Sequence, residues 1–309
     1  MKPAILVTAA DLAPQALAML GGFEIFFTSK APDEDELVRL VAQHQPVGMI
    51  VRYGRIPARV MDASANLRVI AKHGVGIDTI DVEAAKARGI AVRPATGANA
   101  DAVAEHAWAL ILAAAKDVVG LDARMHAGYW DKATHKSLEL RGKTLGVVGL
   151  GSIGSRVAQL GVAFGMKVLA FDPFARTIPS EVTLVPLERL FAESHMVSLN
   201  CPLTDGTRHL VNRDSIAKMR DGVIIVNTGR GGLVDDAALL EALASRKVRA
   251  AGLDAFTPEP LVGDHQYRDA THAILTPHVG GVSEDAYVNM GVAAARNILE
   301  VLTIESVPQ

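Results

Sequence analysis

Cysteine is nearly absent from this chain of 309 residues: Cys201 stands alone, so no internal disulfide can form. Long apolar runs are missing too. Although 50% of the residues are hydrophobic, no uncharged stretch approaches the ~18 residues of a membrane span. The opening MKPAILVT has one lysine and a short apolar run that soon meets Asp11. It reads as a first strand rather than a secretory signal, and a cytoplasmic protein is expected. The charge balance is -3 with no basic block, which offers no electrostatic footprint for nucleic acid. Neither a nucleic-acid nor a membrane partner is expected. Repeats and low-complexity tracts are absent as well. No pair of histidines has a metal-ligand spacing, so no metal is expected, and His73, His106 and His195 read as packing or capping residues.

What is present centres on TLGVVGLGSIG, residues 144–154. An apolar run reads as a buried strand, and Gly149, Gly151 and Gly154 then fall at G-x-G-x-x-G spacing. Residues 153–164 keep helical apolar spacing. Gly149 lets the chain turn, Gly151 lets a pyrophosphate approach the backbone, and Gly154 lets helix and strand pack closely. The helix start, with Ser152 and Ile153, offers unpaired N–H groups and a positive dipole end to phosphates. A glycine-rich turn alone is weak, but residues 166–171 read as a second strand ending at Asp172, eighteen positions beyond Gly154. A carboxylate there accepts the ribose hydroxyls of an adenosine and repels a 2′-phosphate, so the cofactor expected is NAD rather than NADP.

The length suggests roughly two domains at about 150 residues each. Strands are expected at 4–7, 23–27, 47–51, 69–71 and 90–92, with helices at 34–42, 57–65 and 82–88. Such alternation means a parallel sheet covered on both faces. Residues 99–116 read as a long helix capped by Asn99 or Asp101, and 129–140 as a loop. Further strands are expected at 196–199, 222–226, 248–253 and 274–276, before a final helix at 284–302. The expected division is 1–98 with 282–309 against 99–281.

At NTGRGGLVD, residues 227–235, the chain resembles the D-isomer-specific 2-hydroxyacid dehydrogenases, a family that includes phosphoglycerate dehydrogenases, glyoxylate/hydroxypyruvate reductases and formate dehydrogenases. The likeness extends to HGVGID at 73–78, VAEH at 103–106, NCPLT at 200–204, LDAF at 253–256 with Glu259-Pro260, and TPHVGG at 276–281. It implies an α/β protein of two doubly wound parallel-sheet domains, a Rossmann dinucleotide-binding domain and a flavodoxin-like substrate domain, with a cleft between them. By that resemblance Cys201, Thr207, Thr228 and Asp254 line the nicotinamide and its ribose, with Gly280 and Gly281 following the catalytic histidine. Gly74, Val75 and Gly76 resemble the cradle for the substrate carboxylate, where backbone N–H groups converge on an anion. A homodimer through residues 99–140, which hold Trp108, Tyr129 and Trp130, is implied as well.

The chemistry can be read from the residues. Reducing a 2-keto acid needs a cation for the carboxylate, a proton donor for the developing alkoxide, and a partner that keeps the donor protonated. Arg230, His278 and Glu259 match these functions, and each lies beyond an expected strand. Cys201 has no neighbour in sequence that would make it a nucleophile. Arg52 and Arg55 lie just past the strand ending at 51. Two such cations near Arg230 would be relieved by a second anion on the substrate, so an acid such as 3-phosphoglycerate is expected to be favoured over lactate or glyoxylate. The alternatives are a glyoxylate/hydroxypyruvate reductase-like activity and a non-catalytic NAD(H)-sensing regulatory protein of the same fold.

Overall fold

The computed structural model describes residues 2–304. The chain divides into two compact units, residues 1–99 with 282–309 and residues 100–281. The first unit alternates β1 (Ala4–Val7), α1 (Pro14–Met19), β2 (Glu24–Phe27), α2 (Glu34–His44), β3 (Gly48–Val51), α3 (Ala58–Asp62), β4 (Val69–Lys72), α4 (Val82–Ala87) and β5 (Ala91–Pro94). All five strands are parallel, in the order β2-β1-β3-β4-β5, the flavodoxin-like doubly wound arrangement. Strands buried on both faces need apolar residues at every position, and AILV and GMIV supply them. Ile5, Val7, Ile50, Val69 and Ala71 pack into one layer, and Leu6, Met49, Val51 and Ile70 into the other. Asp33 and Asp81 cap α2 and α4 by accepting N–H bonds from Glu36 and Ala84.

The second unit runs α5 (Ala100–Lys116), α6 (Val118–His126), β6 (Thr144–Val148), α7 (Ser152–Ala163), β7 (Lys167–Phe171), β8 (Val182–Leu184), α8 (Leu187–Glu193), β9 (Met196–Leu199), α9 (Arg213–Lys218), β10 (Val223–Asn227), α10 (Asp236–Ala244), β11 (Val248–Leu253) and β12 (Ala273–Leu275). Its parallel sheet has the order β12-β11-β10-β9-β6-β7-β8, a Rossmann sheet whose order reverses between β6 and β9. Alternate residues feed the two faces. Leu145, Val147, Ile224 and Val226 join Trp108 and Ile111 of α5, while Val197, Leu199, Ile225 and Leu253 join Leu190 of α8 and Leu239 of α10. The last helix, α11 (Glu284–Ile304), belongs to the first unit and packs on α1, β3, β4 and β5.

Two local expectations need correction, and one helix falls where none was expected. The helix expected over 57–65 is only Ala58–Asp62, because Pro57 is its cap and the chain must turn before β4. The Asn99 side-chain oxygen is buried without a hydrogen-bond partner, and Asp101 lies within α5, so neither caps that helix. The nine residues of α6 have no buried member. A helix without a core stripe leaves no apolar period to read.

Candidate active site

Backbone geometry gives each glycine after β6 its reason. Gly149 has φ +88, and a Cβ there would lie 2.8 Å from the Asn200 carbonyl and the Cys201 nitrogen. Gly154 is tighter still, since its Cβ would fall 1.9 Å from the Gly149 oxygen. Gly151, the N-cap of α7, is different: a Cβ would meet no protein atom within 4 Å. Its open side faces no protein, and beside it the first N–H groups of α7 have no carbonyl to take within the helix. The turn sits where the strand order reverses, the ligand position of open α/β sheets.

Asp172 follows β7, the neighbour of β6 in register Val148 to Phe171. Its Oδ2 accepts the Leu150 N–H at 2.8 Å and its Oδ1 the Phe174 N–H at 2.8 Å. Each oxygen has lone-pair capacity left for a ribose hydroxyl. Cys201 follows β9, and burial, with Asp172 adding repulsion, pushes its thiol up to about 11. That removes the thiolate a nucleophile would need. Thr228, after β10, is buried with a hydroxyl that has no protein partner. An orphaned hydroxyl, a glycine turn open on one side and a carboxylate with spare lone pairs fit a dinucleotide along this sheet edge. The Thr207 hydroxyl donates to the Pro202 carbonyl and accepts the Thr204 N–H, both at 2.7 Å, and so braces its own turn.

Adjacent parallel strands β10, β11 and β12 end side by side, with Asn227 beside Leu253 and Leu253 beside Leu275. The expected trio leaves from these ends. Arg230 opens a 3-10 turn over Gly231–Leu233; buried Asn227 donates to its carbonyl at 2.8 Å, and its Nη1 donates to the Gly229 carbonyl at 2.8 Å. Glu259 Oε1 accepts the Phe256 N–H at 2.8 Å, and its Oε2 lies 2.7 Å from His278 Nδ1. A carboxylate only accepts, so Nδ1 carries the proton and Nε2 is the ring nitrogen left for chemistry. The side chains of His278 and Glu259 are 44% and 35% exposed, open enough to meet a ligand. Gly231 joins the two loops: a Cβ on it would sit 2.1 Å from the Phe256 carbonyl carbon.

Asp254 has a structural task that the sequence did not signal. Buried at 1% exposure, it accepts the Thr276 hydroxyl at 2.6 Å and the N–H groups of Val279 at 2.9 Å and Gly280 at 2.8 Å. Those bonds grip the turn on both sides of His278, whose φ is +54. His106 of α5 adds a 2.9 Å contact to the Thr276 hydroxyl. Gly280 is required here, since its Cβ would lie 2.9 Å from Asp254 Oδ2; Gly281 follows it, half-buried.

The expected substrate residues lie in the first unit. Gly74, with φ +149, follows β4, and Val75 beyond it is exposed, with Gly76 half-buried. Arg52 follows β3 next door. Its guanidinium is ion-paired with Asp11 and lies 5.3 Å from the Tyr53 ring centroid and 4.8 Å from that of Tyr287. Arg55 is exposed. Buried His73 is pushed down to about 4 by burial and by the positive charge of Arg52.

This fold and this edge define a dinucleotide-dependent oxidoreductase, and comparison with known proteins gives its family. The profile described as "D-isomer specific 2-hydroxyacid dehydrogenase, NAD binding domain" matches residues 108–280. The chain belongs to the D-isomer-specific 2-hydroxyacid dehydrogenases and is an NAD-dependent oxidoreductase. It is 42% identical over 284 residues to a hydroxypyruvate reductase of Thermotoga maritima, covering 91% of this chain and 92% of that one. It is 39% identical over 312 residues to a D-3-phosphoglycerate dehydrogenase of Mycobacterium bovis, covering 100% of this chain but 58% of that one. The chain thus spans little more than half of that relative. A glyoxylate reductase structure from Paecilomyes thermophila matches with a TM-score of 0.84 at 29% identity, over 96% of this chain and 94% of that one. Among the described residues, no helix is long and apolar enough to cross a membrane.

Proposed function

We propose that the protein interconverts a small D-2-hydroxy acid and its 2-keto acid, with His278 as general acid and base, Glu259 as its partner and Arg230 as the cation that polarises the keto oxygen. The observation that carries this reading is the 2.7 Å contact between His278 Nδ1 and Glu259, on a strand edge shared with Arg230. Bound NADH supplies the hydride. Toward it, the N–H groups of Ser152 and Ile153 and the carboxylate of Asp172 hold the phosphates and the adenosine ribose, while Thr228 offers its unpaired hydroxyl at the other end. Arg230 draws charge toward the keto oxygen through planar N–H donors. His278 passes the Nε2 proton to the alkoxide as it forms, and Glu259 stabilises the charged ring before transfer. Gly74, Val75 and Gly76 offer backbone N–H groups for the carboxylate. The test is oxidation of NADH by a panel of 2-keto acids, followed by the loss of NADH absorbance. Turnover with none of them overturns the reading.

Cofactor preference is the second expected outcome. Asp172 puts a negative charge where a 2′-phosphate would sit, so NADH should exceed NADPH in kcat/KM. Asp172→Ala should narrow that ratio by about tenfold or more, which corresponds to about 1.4 kcal/mol. Equal use of both cofactors by the unmutated protein would refute it.

We also propose a cytoplasmic homodimer that assembles through α6 and the segment after it. Val118, Val119, Met125, Tyr129 and Trp130 are exposed there, Trp130 to 75%, and aromatic and Met side chains are enriched at interfaces. Trp108 takes no part: it is buried, donates to the Val157 carbonyl at 3.0 Å and stacks on Phe164. Light scattering should report a dimer at micromolar concentration, and Val119→Asp with Trp130→Asp should shift it to monomer. A monomeric unmutated protein would exclude the assembly. The cytoplasmic placement rests on the lone free thiol of Cys201.

A further inference from the structure

We propose that Asp11 is a specificity-determining residue: by neutralising Arg52 it selects 2-keto acids with an uncharged tail over those that carry a second anionic group. The proposal rests on the reading of this chain as a 2-keto-acid reductase whose Gly74–Val75–Gly76 loop takes the carboxylate, and it reverses the preference that the two arginines suggest in sequence.

Strand pairing puts Arg52 at that loop. Val51 is in register with Lys72, so Arg52 and His73 leave neighbouring strand ends about 5 Å apart, and Gly74 comes next. Lys72 Nζ donates to the Arg52 carbonyl at 3.0 Å. Arg52 is therefore placed to meet whatever extends from a carboxylate held at the loop.

Its charge, however, is already matched. Arg52 Nη1 is paired with the Asp11 carboxylate and donates to the Asp11 carbonyl at 3.1 Å. The guanidinium lies over the rings of Tyr53 and Tyr287, so three parts of the unit hold it: the chain after β1, the chain after β3, and α11. The exposures are unequal, 15% for the Arg52 side chain and 72% for Asp11. The carboxylate is thus the solvent-facing partner. An approaching anion meets Asp11 as soon as it meets Arg52, so the pair itself gives a second negative charge no net attraction. Lys72, whose Nζ bonds the Arg52 carbonyl, keeps its charge with or without Asp11, so the Asp11 variants report on the pair alone. His73 adds no compensating cation, because burial keeps its ring neutral above about pH 4. A hydroxyl or hydrogen tail suffers no such repulsion, and a hydroxyl can bond to either partner.

The experiment measures kcat/KM with saturating NADH for hydroxypyruvate and for 3-phosphohydroxypyruvate, which differ in the tail anion. The unmutated protein should prefer hydroxypyruvate. Asp11→Asn keeps the shape and removes the charge, and it should move the ratio toward the phosphorylated acid by about ten- to a hundredfold, mainly through KM. Asp11→Ala should act the same way, and adding Arg52→Ala to either should cancel the gain. A ratio unmoved by both Asp11 variants while reduction continues would sink this proposal alone, as would an unmutated protein that already prefers the phosphorylated acid. Failure of every keto acid to oxidise NADH would sink the reductase reading, and this proposal with it.

Discussion

His278→Ala should lower kcat/KM for keto-acid reduction by about 10²–10⁴-fold while leaving NADH affinity nearly intact. The rate loss is that typical of removing a positioned general acid. Intact affinity is expected because the turn bearing His278 is held by the Thr276 hydroxyl and the backbone N–H groups of Val279 and Gly280 on Asp254, none of which involves the imidazole. Histidine takes the left-handed φ of +54 more readily than alanine does, so a slightly lower Tm should accompany the rate loss. Glu259→Gln should lose less, about 10–100-fold, since the amide oxygen can still accept the His278 Nδ1 proton while the negative charge is gone. Steady-state rates and a fluorescence titration of NADH measure the two quantities separately. Full activity in His278→Ala would remove this residue from proton transfer.

Gly231→Ala should damage stability and catalysis together. The added Cβ would lie 2.1 Å from the Phe256 carbonyl carbon, 2.3 Å from its oxygen and 2.5 Å from its Cα. These are backbone atoms, so no rotamer change relieves the overlap, and the cost belongs at or above the upper end of the overpacking range, about 3 kcal/mol. For a unit of this size that is a fall in Tm of about 6–12 °C. The segment forced to move is the one whose N–H holds Glu259, and Arg230 precedes the substitution, so kcat should fall as well. Gly151→Ala is the control. Its Cβ would meet no protein atom within 4 Å, so stability without cofactor should change by no more than about 1 kcal/mol, while NADH affinity drops because the pyrophosphate loses its approach to the backbone. If Gly231→Ala melts like the unmutated protein, the contact with Phe256 is not as close as described.

Much of this molecule was legible in its sequence because its sheets are parallel and covered on both faces. A strand of that kind is apolar at nearly every position, so Ala4–Val7, Met196–Leu199 with only Ser198 polar, and Val248–Leu253 with only Arg249 charged stand out as short runs at their observed bounds. The Gly149–Gly154 turn and Asp172 were also legible, since the turn, the helix it starts and the neighbouring strand end are consecutive in the chain. Short or unburied elements were not. α6 buries no residue, and β8 has three residues with one buried, so neither leaves a periodic pattern to find.

Other features exist only once distant segments meet. His278 and Glu259 were named as partners, yet their 2.7 Å contact depends on β11 and β12 ending side by side and on Asp254 gripping the turn between Thr276 and Gly280. Nothing around Asp254 or His106 in sequence signals that grip, because the bond from His106 spans 170 residues. The arginine reading shows the same limit. Sequence placed Arg52 at a strand end but could not count the charges around it, since Asp11 lies 41 residues away and Tyr287 arrives on α11. The pattern of apolar residues determined the elements and the nucleotide turn, because those follow from local period and backbone freedom. The tertiary structure decided which charges are paired and which are left for a ligand, because pairing depends on distances of a few ångströms between chain segments that only folding brings together.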